Sequence, residues 1–204
     1  MTTPARSGLF YFLAGALALM GIITAEALYP AGYTTAHSEI SDLGATVQPH
    51  SVSYQPSADI FNATMGGAGL LVLAATGLLH AACRRFAASV PLALFGLGLV
   101  GIGIFPGNRV PYHSLCSMLA FLAGGVSAIA AAGICRGPLR YLGIGFGSVA
   151  LAVWFSAAFA PHLLLPVLGN GGTERWVAYP IMLWLTGFGG YLMHETAAPT
   201  ASKP

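Results

Sequence analysis

The densest group of chemistry-bearing side chains is the run His37-Ser38-Glu39-Ile40-Ser41-Asp42. It brings acid, imidazole and hydroxyl groups together, the parts of hydrolytic or metal chemistry. Further along, Asp59 and Asn62 follow Ser57, and Phe105-Pro106-Gly107-Asn108-Arg109 precedes His113. Gly171-Gly172-Thr173-Glu174-Arg175-Trp176 follows His162. Glu39, Asp42, His113, His162 and Glu174 could assemble a His/carboxylate metal site. None of them has the H-E-x-x-H spacing that places two imidazoles on one helix face. A bound metal therefore stays open, and no metal or other cofactor is assigned. A Ser/His/Asp arrangement likewise lacks a spacing signature. Asp42, His113 and Glu174 are the candidate catalytic groups. The plain alternative is an ion-paired loop acting as a lid, with Asp42 or Glu39 on Arg175.

The elements that must position these residues follow from composition. Of 204 residues, 56% are hydrophobic and only 7% charged, where a soluble domain carries about 25% charged residues. So few charges cannot cover a water-facing surface. A membrane-spanning helix needs about 20 apolar residues. Stretches that approach this length recur at 8–28, 60–82, 89–105, 111–134, 141–160 and 176–193. The expected fold is all-α, a six-transmembrane-helix bundle in one membrane domain over 1–193, with a disordered cytoplasmic tail over 194–204. The longer connections, 30–57 and 161–173, are expected to be loops. The run 8–24 with Ala25-Glu26-Ala27 imitates a cleaved signal peptide, but its apolar core exceeds the usual h-region, so it is expected to be a first anchor.

Alternating spans put Arg6, Arg84, Arg85, Arg136, Arg140 and Lys203 on one side, and only Arg109 and Arg175 on the other. The positive-inside rule then makes both termini cytoplasmic in a cell (inner) membrane. Nearly all the polar chemistry falls on the outer side. The second, fourth and sixth helices start there, and their positive dipole ends with Arg109 and Arg175 would attract an anion. Alternatively, Ser57 and Asp59 cap the second helix, and Thr173 and Glu174 the sixth. Glu26, near the outer end of the first span, either reaches water or is functional. His80 is expected at the inner interface. Gly96-Leu97-Gly98-Leu99-Val100-Gly101 fits G-x-G-x-x-G but lies inside an apolar span, so it is read as helix packing. Gly103 with Gly107, and Gly143 with Gly147, have the small-x-x-x-small spacing of close helix contacts. Cys83, Cys116 and Cys135 form no C-x-x-C pair and are read as packing residues. A net charge of +2 and the lack of a basic run argue against nucleic acid.

Ile40-Ser41-Asp42-Leu43-Gly44, Ile60-Phe61-Asn62, Phe105-Pro106-Gly107 with His113, and Gly171-Gly172-Thr173-Glu174-Arg175 occur in this order between the spans. In these motifs the chain resembles the domain of unknown function 998 family of small prokaryotic multi-pass membrane proteins, over roughly 8–193. The resemblance implies no reaction. It implies that Ser41, Asp42, Asn62, His113, Glu174 and Arg175 belong to one motif set, read here as a ligand-binding set.

The expected function is an outward-facing polar vestibule that binds an anionic lipid headgroup or small polar ligand, with membrane lipid as the partner. The alternative is a membrane-embedded lipid hydrolase or remodelling enzyme using Asp42, His113 and Glu174. A small transporter ranks third, because the span centres lack the polar groups transporters place at the midplane.

Overall fold

Apolar runs of this length become helices because a backbone surrounded by hydrocarbon must satisfy its own N–H and C=O groups. The computed structural model describes residues 1–195. It contains α1 (Thr3–Ala27), α2 (Ser57–Cys83), α3 (Phe86–Ile104), α4 (Tyr112–Ala130), α5 (Pro138–Phe159) and α6 (Pro161–Glu195). A 3-10 turn at Ser41–Leu43 interrupts the first long connection, and another at Ala131–Gly133 extends α4. No strand occurs among the described residues. The first five helices are long and apolar enough to cross a membrane; α6 is not among them. The tail expected from 194 falls beyond the described residues from 196 on, and His194 itself is helical.

The helices close into a ring. Each packs on the next in sequence, and α6 returns to pack on α1. Backbones approach closely where glycine permits it. A side chain at Gly8 or Gly15 would strike α6, and one at Gly69, Gly96 or Gly103 would jam the α2–α3 contact. Gly98 and Gly101 face Ala120 and Cys116 of α4, while Gly143 and Gly147 face Ala128 and Gly125. The glycine-rich run of α3 thus serves both of its neighbours. Gly107 differs from the helix-packing expectation: it lies past the end of α3 and abuts the Ala45 carbonyl of the first connection. Tyr11, Phe61, Met65, Phe95, Trp184 and Phe188 fill the interior. Two buried polar contacts tie α1 to α2, Ser7 Oγ donating to Ala75 O at 2.8 Å and Tyr11 OH with Thr76 Oγ1 at 2.9 Å. No disulfide links the cysteines, and Cys135 is buried.

The expected loop over 161–173 is a correction. Residues 161–168 are helical, begun by Pro161 at a position where its missing N–H costs nothing. Gly169 then breaks the helix with φ 69° and ψ 176°, and helix resumes. The apolar run before Gly169 is much shorter than a span, so length alone did not reveal it.

Candidate functional site

The first connection folds over the end of the bundle that carries Arg109 and Arg175, and α6 holds it there. Arg175 is buried, at 7% exposure. Its Nη1 donates to the carbonyls of Thr35, Ser38 and Gly171 at 2.9, 3.0 and 3.0 Å. Its Nη2 donates to Glu26 Oε2 at 3.1 Å and Tyr33 OH at 2.7 Å. Glu26, on α1, is therefore the ion partner of Arg175, in place of Asp42 or Glu39. The guanidinium is paired with Glu26 and donates from both terminal nitrogens, while its buried Nε has no hydrogen-bond partner.

Glycines make this docking feasible. A side chain at Gly169 would meet the Ala36 carbonyl, and one at Gly171 the Ser38 carbonyl. Beside them, Glu174 Oε2 accepts a short hydrogen bond from the Ile40 N–H. Burial, first, and the neighbouring Glu39 carboxylate raise the Glu174 pKa from 4.5 to about 8. Glu39 and Asp42 are also pushed up by burial. Asp42 Oδ2 accepts from the Glu39 N–H at 2.9 Å and so closes the start of the 3-10 turn. Ser41 Oγ donates to Glu39 Oε2 at 3.3 Å.

The capping expectation does not hold. Ser57 Oγ donates to Leu43 O at 3.4 Å, fastening the connection to α2. The Asp59 N–H is met by Gln55 Oε1 at 3.3 Å, so Gln55 supplies that acceptor. Thr173 Oγ1 donates back to Gly169 O at 2.7 Å, and Glu174 reaches the Ile40 N–H of the first connection.

Beneath the folded connection lies an open cavity of about 460 Å³. Ser41, His113 and Glu174 line it with Glu39, Ser114, Ser117, Asn170 and Thr173, and Phe121, Trp154, Leu165 and Val177 form an apolar wall. A second, smaller cavity of about 30 Å³ shares Ser41, Ser117, Phe121 and Glu174 and continues among Phe61, Met65, Phe95 and Leu99. Glu174 thus stands where polar lining gives way to apolar interior. His113, in the first turn of α4, places Nδ1 2.7 Å from Phe105 O and Nε2 3.3 Å from Ser117 Oγ.

Of the six motif residues, Ser41, His113 and Glu174 meet at the cavity. Arg175 and Asp42 hold the connection in place. Asn62 faces Gly44 and does not line the cavity; its Oδ1 is buried without a partner. His37 and His162 are exposed. No group of three or more His, Cys, Asp or Glu side chains suited to a metal occurs among the described residues. His80 sits at the opposite end, 3.2 Å from Ser89 Oγ. Sequence reading missed Ser117 and Asn170, and for Trp154 a belt or packing role sufficed. Ser117 had a usable signal, since positions four apart share a helix face.

Residues 12–191 match the family model described as Protein of unknown function (DUF998). The chain belongs to this family. No curated protein and no solved structure matches it. As a DUF998 member with apolar helices of spanning length, it is a multi-pass helical membrane protein.

Proposed function

We propose that the chain is a six-span protein of the cell membrane, with both termini cytoplasmic, whose outer cavity binds the polar headgroup region of an amphiphile. The observation that carries this reading is the cavity of about 460 Å³, polar on one side and walled by Phe121, Trp154 and Leu165 on the other. Such a mixed surface suits a molecule with a polar end and an apolar body. The 176–193 segment of α6 is the sixth span in this reading. It packs between α1 and α5 and completes the ring. Arg6, Arg84, Arg85, Arg136 and Arg140 cluster at the end opposite the cavity, which supports a cytoplasmic placement of that end.

The preference for an anion is not carried forward. Glu39 and Glu174 line the cavity, whereas neither Arg109 nor Arg175 does. Hydroxyls, an amide and the imidazole are the groups on offer, and they suit carbonyl, hydroxyl or amine functions. The small apolar cavity below, about 30 Å³, favours binding over passage.

Native mass spectrometry of protein released from membrane nanodiscs tests the reading. Wild type should retain an amphiphile that a Ser114→Trp variant, with its cavity mouth filled, releases. Equal retention by both, or none by wild type, would sink the proposal.

A further inference from the structure

His113 and Ser117 stand four residues apart on α4 and face the same cavity. The Phe105 carbonyl, 2.7 Å from His113 Nδ1, can only accept a hydrogen bond. Nδ1 therefore carries the ring proton, and Nε2 of the neutral imidazole is left as an acceptor. Ser117 Oγ lies 3.3 Å from that nitrogen, so its hydroxyl donates to it. The ring is buried and held at both nitrogens. Hydroxyl, base and orienting acceptor in series form the signature of an activated nucleophile, with distances commonly loose when no substrate is bound. Here a main-chain carbonyl takes the orienting role that a carboxylate holds in the familiar triad. The carboxylates of Glu39 and Asp42 lie near enough to interact with the His113 ring, so a proton gained there is faced by acidic groups.

We propose that Ser117 and His113 form a catalytic dyad that hydrolyses a carboxylic ester of an amphiphile bound in this cavity. The proposal rests on the ligand-binding reading of the same cavity. Ser117 Oγ bonds to the ester carbonyl carbon while its proton passes to His113 Nε2. The alkoxy group leaves with that proton as an alcohol, and the acyl group stays on Ser117. Water then adds to the acyl carbon and gives a proton to Nε2. The C–O bond to Ser117 breaks, the proton returns to Oγ, and a carboxylic acid departs. Ester plus water thus becomes acid plus alcohol, with no other reactant. Ser114 and Asn170, which also line the cavity, are the side-chain donors available to the carbonyl oxygen. An ester fits because its alkoxy group leaves far more readily than an amide nitrogen and so asks less of a dyad without a carboxylate. An amphiphile fits because Phe121, Trp154 and Val177 offer an acyl chain an apolar bed.

The test incubates nanodisc-embedded protein with a fluorophosphonate probe and maps the adduct by peptide mass spectrometry. Wild type should carry the adduct on Ser117 and hydrolyse 4-nitrophenyl butyrate. Ser117→Ala should do neither, and His113→Ala or His113→Gln should slow both reactions roughly 100-fold or more. Circular dichroism of each variant separates loss of chemistry from loss of fold, and the glutamine variant covers the case in which alanine does not fold. No adduct on Ser117 of folded wild type overturns the dyad, as does equal labelling in a folded His113 variant. Native mass spectrometry of Ser117→Ala with a non-hydrolysable ether lipid separates the two readings. Lipid retained there, with wild type unlabelled, leaves binding standing and removes catalysis; no lipid and no label remove both.

Discussion

Arg175 and Glu174 are adjacent in sequence and do opposite things. Arg175 spends its charge inside the fold, on Glu26, Tyr33 and three carbonyls. Removing one partner of a buried ion pair leaves the other uncompensated, at about 3 kcal/mol or more. Arg175→Ala should therefore lower the thermal unfolding midpoint in detergent far more than Arg109→Ala, since Arg109 is exposed. Arg175→Lys should not rescue it, because an ammonium lacks the fork that reaches these acceptors together. Glu174 faces the cavity with its pKa raised from 4.5 to about 8. A raised carboxyl pKa means that the folded state binds more protons than the unfolded one. The stabilisation is complete below pH 4.5 and is lost as pH rises to about 8. Stability of wild type should fall across that window, and Glu174→Gln should flatten the fall; parallel curves would count against the assignment. In the sequence, the residues of this site were legible as a motif set, but their division of labour was not. The partner of Arg175 lies 149 positions away. Which carboxylate meets it depends on how the first connection folds back, and spacing does not encode that.

At the level of elements, the apolar runs located the helices well, because hydrocarbon surroundings leave a long apolar segment no other regular structure. The expected 60–82 and 141–160 are α2 and α5 with a few residues added at their N-terminal ends. Prediction failed at the 161–168 segment, where helix formation comes from a proline start and a glycine stop rather than from length. It also passed over Ser117, because a serine within an apolar run reads as a tolerated packing residue until His113 is seen on the same face. The Gly169–Gly172 stretch is what lets one element lie on another. Gly171→Ala would set a methyl against the Ser38 carbonyl, and Gly169→Ala would add strain at a positive φ. Both variants should release the first connection while leaving the helices formed. Faster hydrogen exchange and protease cleavage around 33–40, with unchanged helical circular dichroism, would register this; protection equal to wild type would refute it.

Across the whole molecule, the ring is closed by α1 against α6, the two helices farthest apart in sequence. Gly8 and Gly15 accept α6 without a gap, and Glu26 and Arg175 meet at the opposite end of the same seam. Widening the seam should therefore disturb both ends. Gly15→Leu, which would strike Met182 and Thr186, should lower the yield of folded protein on size-exclusion chromatography. Gly77→Leu, where nothing lies within contact distance, should not.

That seam also has a history in time. α1 leaves the ribosome and enters the bilayer long before α6 is translated, carrying Glu26 near its C-terminal end and a face of small residues with nothing yet to cover it. During that interval Glu26 has no guanidinium to meet, and the half-built bundle exposes a defect that membrane proteases and insertion factors can recognise. Arrival of Arg175 removes the acidic defect and lays the first connection over the cavity in the same event. Maturation and site assembly are thus one step, and a nascent chain halted before residue 175 should be short-lived in a pulse-chase experiment, whereas the same halted chain with Glu26→Gln should persist longer.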